Sequence, residues 1–133
     1  YAFRGNIPER DGILSGLILL EMMIKTGKSV SGLLQMLQEK VGPHHYDRWD
    51  LKMNESQRKI VETRLETVCP TTLANRQVRK IDPRDGLRFV MDNGCWVLVR
   101  FSGTEPLLRL YAEGESAREV AELLKEVREL AGV

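Results

Sequence analysis

Arg100 and Arg109 frame the stretch Phe101-Ser102-Gly103-Thr104-Glu105-Pro106-Leu107-Leu108. A strand-like run ends in the first arginine and a second run, from Leu107, carries the other. If the two runs pair as a hairpin, the arginines fall nearly opposite each other at its mouth. A guanidinium fork can bond two phosphate oxygens in one plane. The hydroxyls of Ser102 and Thr104 and successive backbone N–H groups add donors, and Gly103 lets the backbone turn and come close to a ligand. The chemistry that fits is a grip that orients a phosphate as well as attracting it. It is not a Walker loop, because no G-x-x-x-x-G-K-[ST] is present and no helix follows to hold the anion at its N-terminus. On residue types alone, an ordinary surface turn with two solvated arginines fits equally well.

The elements around this loop must place it. Gln77 to Ile81, Leu87 to Met91, Cys95 to Phe101 and Leu107 to Ala112 read as strands, separated by the turns Asp82-Pro83-Arg84-Asp85-Gly86 and Asp92-Asn93-Gly94. An earlier strand from Tyr46 presents Trp49, Leu51 and Met53 on one face. Asn54 and Gln57 form a capping-box pattern opening a helix with Ile60, Val61 and Leu65 inward, which ends before Pro70. Ser116 and Glu119 repeat the capping pattern for a closing helix with Val120, Leu123, Leu124 and Val127 in its stripe. The expected fold is α+β: an antiparallel sheet of about four strands packed against two helices.

Upstream, residues 11–26 read as a helix capped by Asp11 and stopped by Gly27, apolar nearly all round, so it should be buried nearly all round. A second helix follows from Ser29 to Val41 and ends at Gly42-Pro43. One amphipathic companion cannot cover the first helix, and the chain opens on Tyr1 rather than Met. Together these lead us to expect a piece of a larger protein, the alternative being that the first helix packs inside this domain or in a dimer.

Arg100-Phe101-Ser102-Gly103-Thr104-Glu105-Pro106 with Arg109 and Tyr111 resembles the R-x-S-G-T-E-P-x-x-R phosphate-binding loop of the C-terminal domain of the α-D-phosphohexomutases, the phosphoglucomutase/phosphomannomutase family. Asn6-Ile7-Pro8-Glu9-Arg10-Asp11-Gly12 and the helix after it resemble the segment that closes the third domain of those enzymes. The resemblance therefore implies a tail of the third, sugar-binding domain over residues 1–42 and a phosphate-binding domain over 43–133, the helical pair belonging to the end of a neighbouring α/β domain. It implies Arg100, Ser102, Gly103, Thr104 and Arg109 as the substrate-phosphate grip, with Arg10 as a possible further substrate contact. The second loop position, often Pro in the family, is Phe101 here, which relaxes the loop without removing a donor.

The resemblance further implies a four-domain cytoplasmic enzyme that interconverts hexose 1-phosphate and hexose 6-phosphate. It does so through a phosphoserine, with Mg²⁺ bound outside this chain and a hexose bisphosphate as intermediate and activator. The chain carries no Ser-His-Asn loop, no Asp-Gly-Asp-x-Asp-Arg and no Gly-Glu-x-Ser-Gly. No catalytic residue and no metal ligand is thus expected in it, and alone it should be inactive. Its expected partners are a hexose phosphate and the remaining domains of the same polypeptide.

Composition narrows the other possibilities. Across 133 residues, 20 Lys+Arg face 19 Asp+Glu, and 42% of residues are apolar. That suits a folded domain and argues against a chain that coats nucleic acid or an anionic membrane. No apolar run approaches the ~20 residues that span a bilayer. Cys69 and Cys95 read as buried or half-buried thiols in a reducing setting, not as a disulfide. His44 and His45 are adjacent and lack partners at metal-ligand spacing. Trp49 and Trp96 read as core or interface aromatics. From Arg76 to Arg109 seven basic residues outnumber four acidic ones, and apart from Arg100 and Arg109 we read them as a solvated, mixed-charge meander. A stand-alone module that binds nucleic acid or protein remains the alternative function, and it would need a broad basic or aromatic face.

Overall fold

A computed structural model describes residues 3–5 and 9–133, so Tyr1 and the Asn6-Ile7-Pro8 part of the upstream motif lie outside the described residues. The chain divides into two compact units, Tyr1–Gly42 and Pro43–Val133.

The first unit holds helices α1 (Gly12–Thr26) and α2 (Val30–Val41). Both start as their caps dictate: the Asp11 carboxylate accepts from the Leu14 N–H and the Ser29 hydroxyl from the Gly32 N–H. Gly27 closes α1 in the left-handed region. No residue of α1 is buried, with Ile13 81% exposed, and in α2 only Leu33 is buried. The sequence reading of this helix as buried nearly all round is therefore not met within this unit.

The second unit contains β1 (His45–Lys52), α3 (Glu55–Thr67), β2 (Thr72–Leu73), β3 (Arg76–Asp82), β4 (Leu87–Met91), β5 (Trp96–Phe101), β6 (Leu107–Gly114) and α4 (Ala117–Ala131). Its strands form one antiparallel sheet in the order β1-β6-β5-β4-β3-β2. The sheet has six strands rather than about four. The one that sequence reading misses is β2, whose two residues are too short to show alternation. It joins β3 through Ala74 and Asn75, which both adopt positive φ (47° and 60°) as a two-residue hairpin turn requires. The Glu126 carboxylate of α4 accepts from the Ala74 N–H at 2.8 Å and ties this turn down.

Period-2 alternation sorts the strands. Val97 and Val99 of β5, Leu108, Leu110 and Ala112 of β6, and Phe89 and Met91 of β4 are fully buried with Val61 of α3 and Leu123, Leu124 and Val127 of α4. α3 and α4 therefore cover one face. The intervening residues of β5 and β6, among them Arg100, Arg109 and Tyr111, belong to the other face.

Three sequence readings need correction. Ile60 is 68% exposed, because Val61 and Leu65 stand one turn apart on the packed side of α3 and Ile60 lies about 100° round from Val61. Cys69 is exposed, since it falls after α3 ends, in the connection before Pro70. The second capping box is only half formed. The Ser116 hydroxyl accepts from the Glu119 N–H, but the Glu119 carboxylate turns away to accept from the Glu115 N–H at 2.8 Å.

Candidate functional site

The loop between β5 and β6 is closed by its own backbone. The Ser102 N–H donates to the Leu107 carbonyl at 2.9 Å, and the Leu107 N–H to the Glu105 carbonyl at 2.8 Å, bending the chain through Pro106. Ser102 is buried, whereas Gly103, Thr104, Glu105 and Pro106 are exposed. Among the described residues, the Gly103 and Thr104 N–H groups meet no protein acceptor, so the tip presents two free donors. Gly103 does not have positive φ, and a Cβ there would stand in open space. The turn itself does not demand glycine, contrary to the sequence reading; what Gly103 supplies is room.

β5 and β6 pair in the register that sets Arg100 opposite Arg109. Directly opposed residues of an antiparallel pair share a face, so both guanidinium groups leave the sheet on the side away from the helices. Each already holds a carboxylate. Arg100 Nη1 donates to Asp85 Oδ2 at 2.9 Å, and Arg109 Nη2 donates to Glu105 Oε2 at 2.6 Å, with Asp50 Oδ1 4.0 Å from Arg109 Nε. Asp85 reaches Arg100 because the β3–β4 turn lies against β5. Gly86 has φ +90°, and a Cβ there would stand 2.4 Å from the Val99 carbonyl oxygen. Sequence reading names the arginines but pairs neither with its acid. The Asp-Gly dipeptide marks the turn, yet nothing local tells which strand it touches.

A second neighbour of the loop also escapes the sequence. No helix follows it, but α3, far upstream, begins beside it: the Met53 N–H donates to the Pro106 carbonyl at 3.1 Å. A cavity of about 300 Å³ is lined there by Asn54, Glu55, Arg58 and the loop from Phe101 to Leu107. The Asn54 side chain accepts from the Gln57 N–H while the Gln57 side chain accepts from the Asn54 N–H, so the capping box is complete.

The other singled-out residues settle elsewhere. Arg10 lies in the first unit, exposed, its N–H donating to Glu9 Oε1. His44 Nδ1 pairs with Glu113 Oε1 at 3.1 Å, Trp49 packs against the core, and Arg88 lies over the Trp96 ring at 4.6 Å. Arg76 donates to Glu115 and Glu119. Arg84, hydrogen-bonded to both oxygens of Asp82, holds that carboxyl far below the usual carboxylate range. Cys95 is buried and its thiol donates to Glu119 Oε2; burial, then that contact, pushes its pKa up, which makes it a poor nucleophile. Among the described residues, no three His, Cys, Asp or Glu side chains gather as a metal site, and no helix is long and apolar enough to cross a membrane.

The family profile of the phosphoglucomutase/phosphomannomutase C-terminal domain matches residues 54–130. The chain is 34% identical over 116 residues to a phosphoglucomutase/phosphomannomutase of Thermococcus kodakarensis, covering 87% of this chain and 23% of the relative. It is 35% identical over 124 residues to a phosphoglucosamine mutase of Methanocaldococcus jannaschii, covering 86% and 24%. It thus spans about a quarter of the length of the curated relatives it matches. Its fold is similar to that in the open-form crystal structure of the exocytosis-sensitive phosphoprotein pp63/parafusin, a phosphoglucomutase of Paramecium, with a TM-score of 0.60 at 21% identity over 93% of this chain and 27% of that one. The profile match spans more than half of the 133 residues and includes the whole loop with both arginines, and on it the chain belongs to the phosphoglucomutase/phosphomannomutase C-terminal domain family.

Proposed function

We propose that this chain is the phosphate-gripping end of a phosphohexomutase, a cytoplasmic enzyme that interconverts hexose 1-phosphate and hexose 6-phosphate. In this reading residues 43–133 hold the substrate phosphate that is not being transferred, and residues 1–42 close the sugar-binding domain. The observation that carries it is the pairing of Arg100 with Arg109 on either side of a loop whose tip offers the free N–H groups of Gly103 and Thr104. A phosphate placed there replaces Asp85 and Glu105 as the partner of the two guanidinium groups, its three free oxygens shared between the two forks. Ser102 and Thr104 add hydroxyl donors.

The gain from such a grip is positional. Holding the distal phosphate fixes the far oxygen of the sugar at the reacting centre and lets remote binding energy lower the barrier there. One phosphate clamp serves both half-reactions, because either phosphate of a hexose bisphosphate can occupy it. Closure over the bound substrate also keeps water from a phosphorylated enzyme. The phosphoserine and Mg²⁺ implied for the whole enzyme belong to parts outside this chain. Among the described residues, no three His, Cys, Asp or Glu side chains gather as a metal site. The chain by itself is expected to bind phosphate and not to turn substrate over.

Titration of the isotope-labelled chain with glucose 1-phosphate and with inorganic phosphate tests this. Saturable shifts confined to the Ser102, Gly103 and Thr104 amides, moved to about tenfold or more higher phosphate concentration in Arg100→Ala, are the expected result; amides that do not respond overturn the reading. The alternative of a nucleic-acid module is less well supported, because Arg88 covers Trp96 and the cations of Arg48, Arg76 and Arg84 are paired with acids.

A further inference from the structure

We propose that Arg58 is a positioning residue of the phosphate loop, acting through the Phe101 ring; this rests on the reading of the loop as a phosphate grip. The loop has little to hold its own shape. Its internal backbone bonds involve Ser102, Glu105 and Leu107, and the tip amides at Gly103 and Thr104 have no protein acceptor. Their direction therefore depends on where the loop is anchored at its two ends, and the start of α3 touches both. At the exit, the Met53 N–H holds the Pro106 carbonyl. At the entrance, the Arg58 guanidinium lies over the Phe101 ring with its central carbon 4.8 Å from the centroid. That distance is within the range of a cation–π contact.

Arg58 is held in this pose. Its Nε donates to Glu62 Oε1, one turn along the same helix, at 2.8 Å, and the completed capping box at Asn54 and Gln57 fixes the turn that carries it. A guanidinium secured by a carboxylate and set over the ring restrains Phe101 at the entrance of the loop. The side chains of Arg100 and Arg109 leave the opposite face of the sheet, so Arg58 sits behind the loop rather than beside the two gripping arginines.

The experiment uses the 133-residue chain with Arg58→Ala, Arg58→Lys, Phe101→Leu and the Arg58→Ala/Phe101→Leu double variant. Two readouts are followed: hydrogen exchange at the Ser102 and Leu107 amides without ligand, and the affinity for inorganic phosphate at the Gly103 and Thr104 amides. Arg58→Ala and Phe101→Leu should each speed exchange and weaken phosphate binding about two- to fivefold, the size of an exposed cation–π contact. The double variant should be no worse than either single one, and Arg58→Lys should recover most of the loss and keep the comparison open if the alanine variant unfolds. Unchanged exchange and affinity in Arg58→Ala overturn the proposal while the grip itself stands. So does a loss of affinity in Arg58→Ala with none in Phe101→Leu, because Arg58 then acts only as a charge. If the wild-type chain ignores phosphate although Arg58→Ala loosens the Ser102 amide, the grip reading falls and takes the proposal with it.

Discussion

Arg100 and Asp85 are joined by a 2.9 Å ion pair where the β3–β4 turn lies against the end of β5. Both side chains are more than a third exposed, so the pair adds little to stability. On the proposed function its consequence lies in binding: the carboxylate occupies Nη1, a donor that a phosphate would use.

Removing that competitor should therefore tighten the grip. Asp85→Asn is expected to raise phosphate affinity by about two- to fivefold, with unfolding free energy unchanged to within about 0.5 kcal/mol, as for most surface changes. Parallel phosphate titration and urea unfolding read both quantities.

Arg100 itself is expected to matter in proportion to its geometry. Arg100→Ala should weaken phosphate binding about tenfold or more, the loss expected for a charge-assisted hydrogen bond. Arg100→Lys should recover only part of it, because a point charge cannot present two parallel donors. In the full-length enzyme the alanine variant should raise KM and lower kcat together, as loss of both binding and orientation does. Steady-state kinetics with glucose 1-phosphate decide this, and unchanged kinetics would remove Arg100 from the site.

Gly86 has two reasons to be glycine, a φ of +90° and a Cβ position 2.4 Å from the Val99 carbonyl oxygen. Gly86→Ala should cost about 2 kcal/mol or more and push Asp85 away from Arg100. Denaturant unfolding measures the first effect, and the chemical shift of the Arg100 side chain reports the second.

Glu119 is a buried carboxylate with its donors in place: the Glu115 N–H, the Cys95 thiol, Arg76 and Asn93. Burial works to raise its pKa, but the hydrogen bonds from Glu115, Cys95 and Arg76 outweigh burial and lower it. A carboxyl with a depressed folded-state pKa binds its proton more readily when unfolded. Its contribution is therefore present above the unfolded value of about 4.3 and is lost as pH falls through the lower folded one. Glu119→Gln should cost about 1–3 kcal/mol at neutral pH and flatten the fall in stability below about pH 4.5. Thermal unfolding across that pH range is the check, and a variant with an unchanged acid profile would show that Glu119 is not the group responsible.

Much of this was legible in the residues because it is decided locally. Asp11, Ser29, Asn54 and Ser116 start their helices, since a short acceptor side chain satisfies a backbone N–H two or three positions on. Leu87–Met91 follows from its flanking turns. The opposition of Arg100 and Arg109 follows from two alternating strands joined by one short loop, whose register the hydrophobic face sets. What the residues could not reveal is which remote segments meet. Asp85 on Arg100, Met53 and Arg58 on the loop, Glu119 turned from its expected cap toward Arg76 and Cys95, and Ile60 left outside all depend on how α3, α4 and the β3–β4 turn pack on the sheet. Those contacts join residues that alternation and capping do not relate, so they exist only once burial of the shared core has brought the elements together.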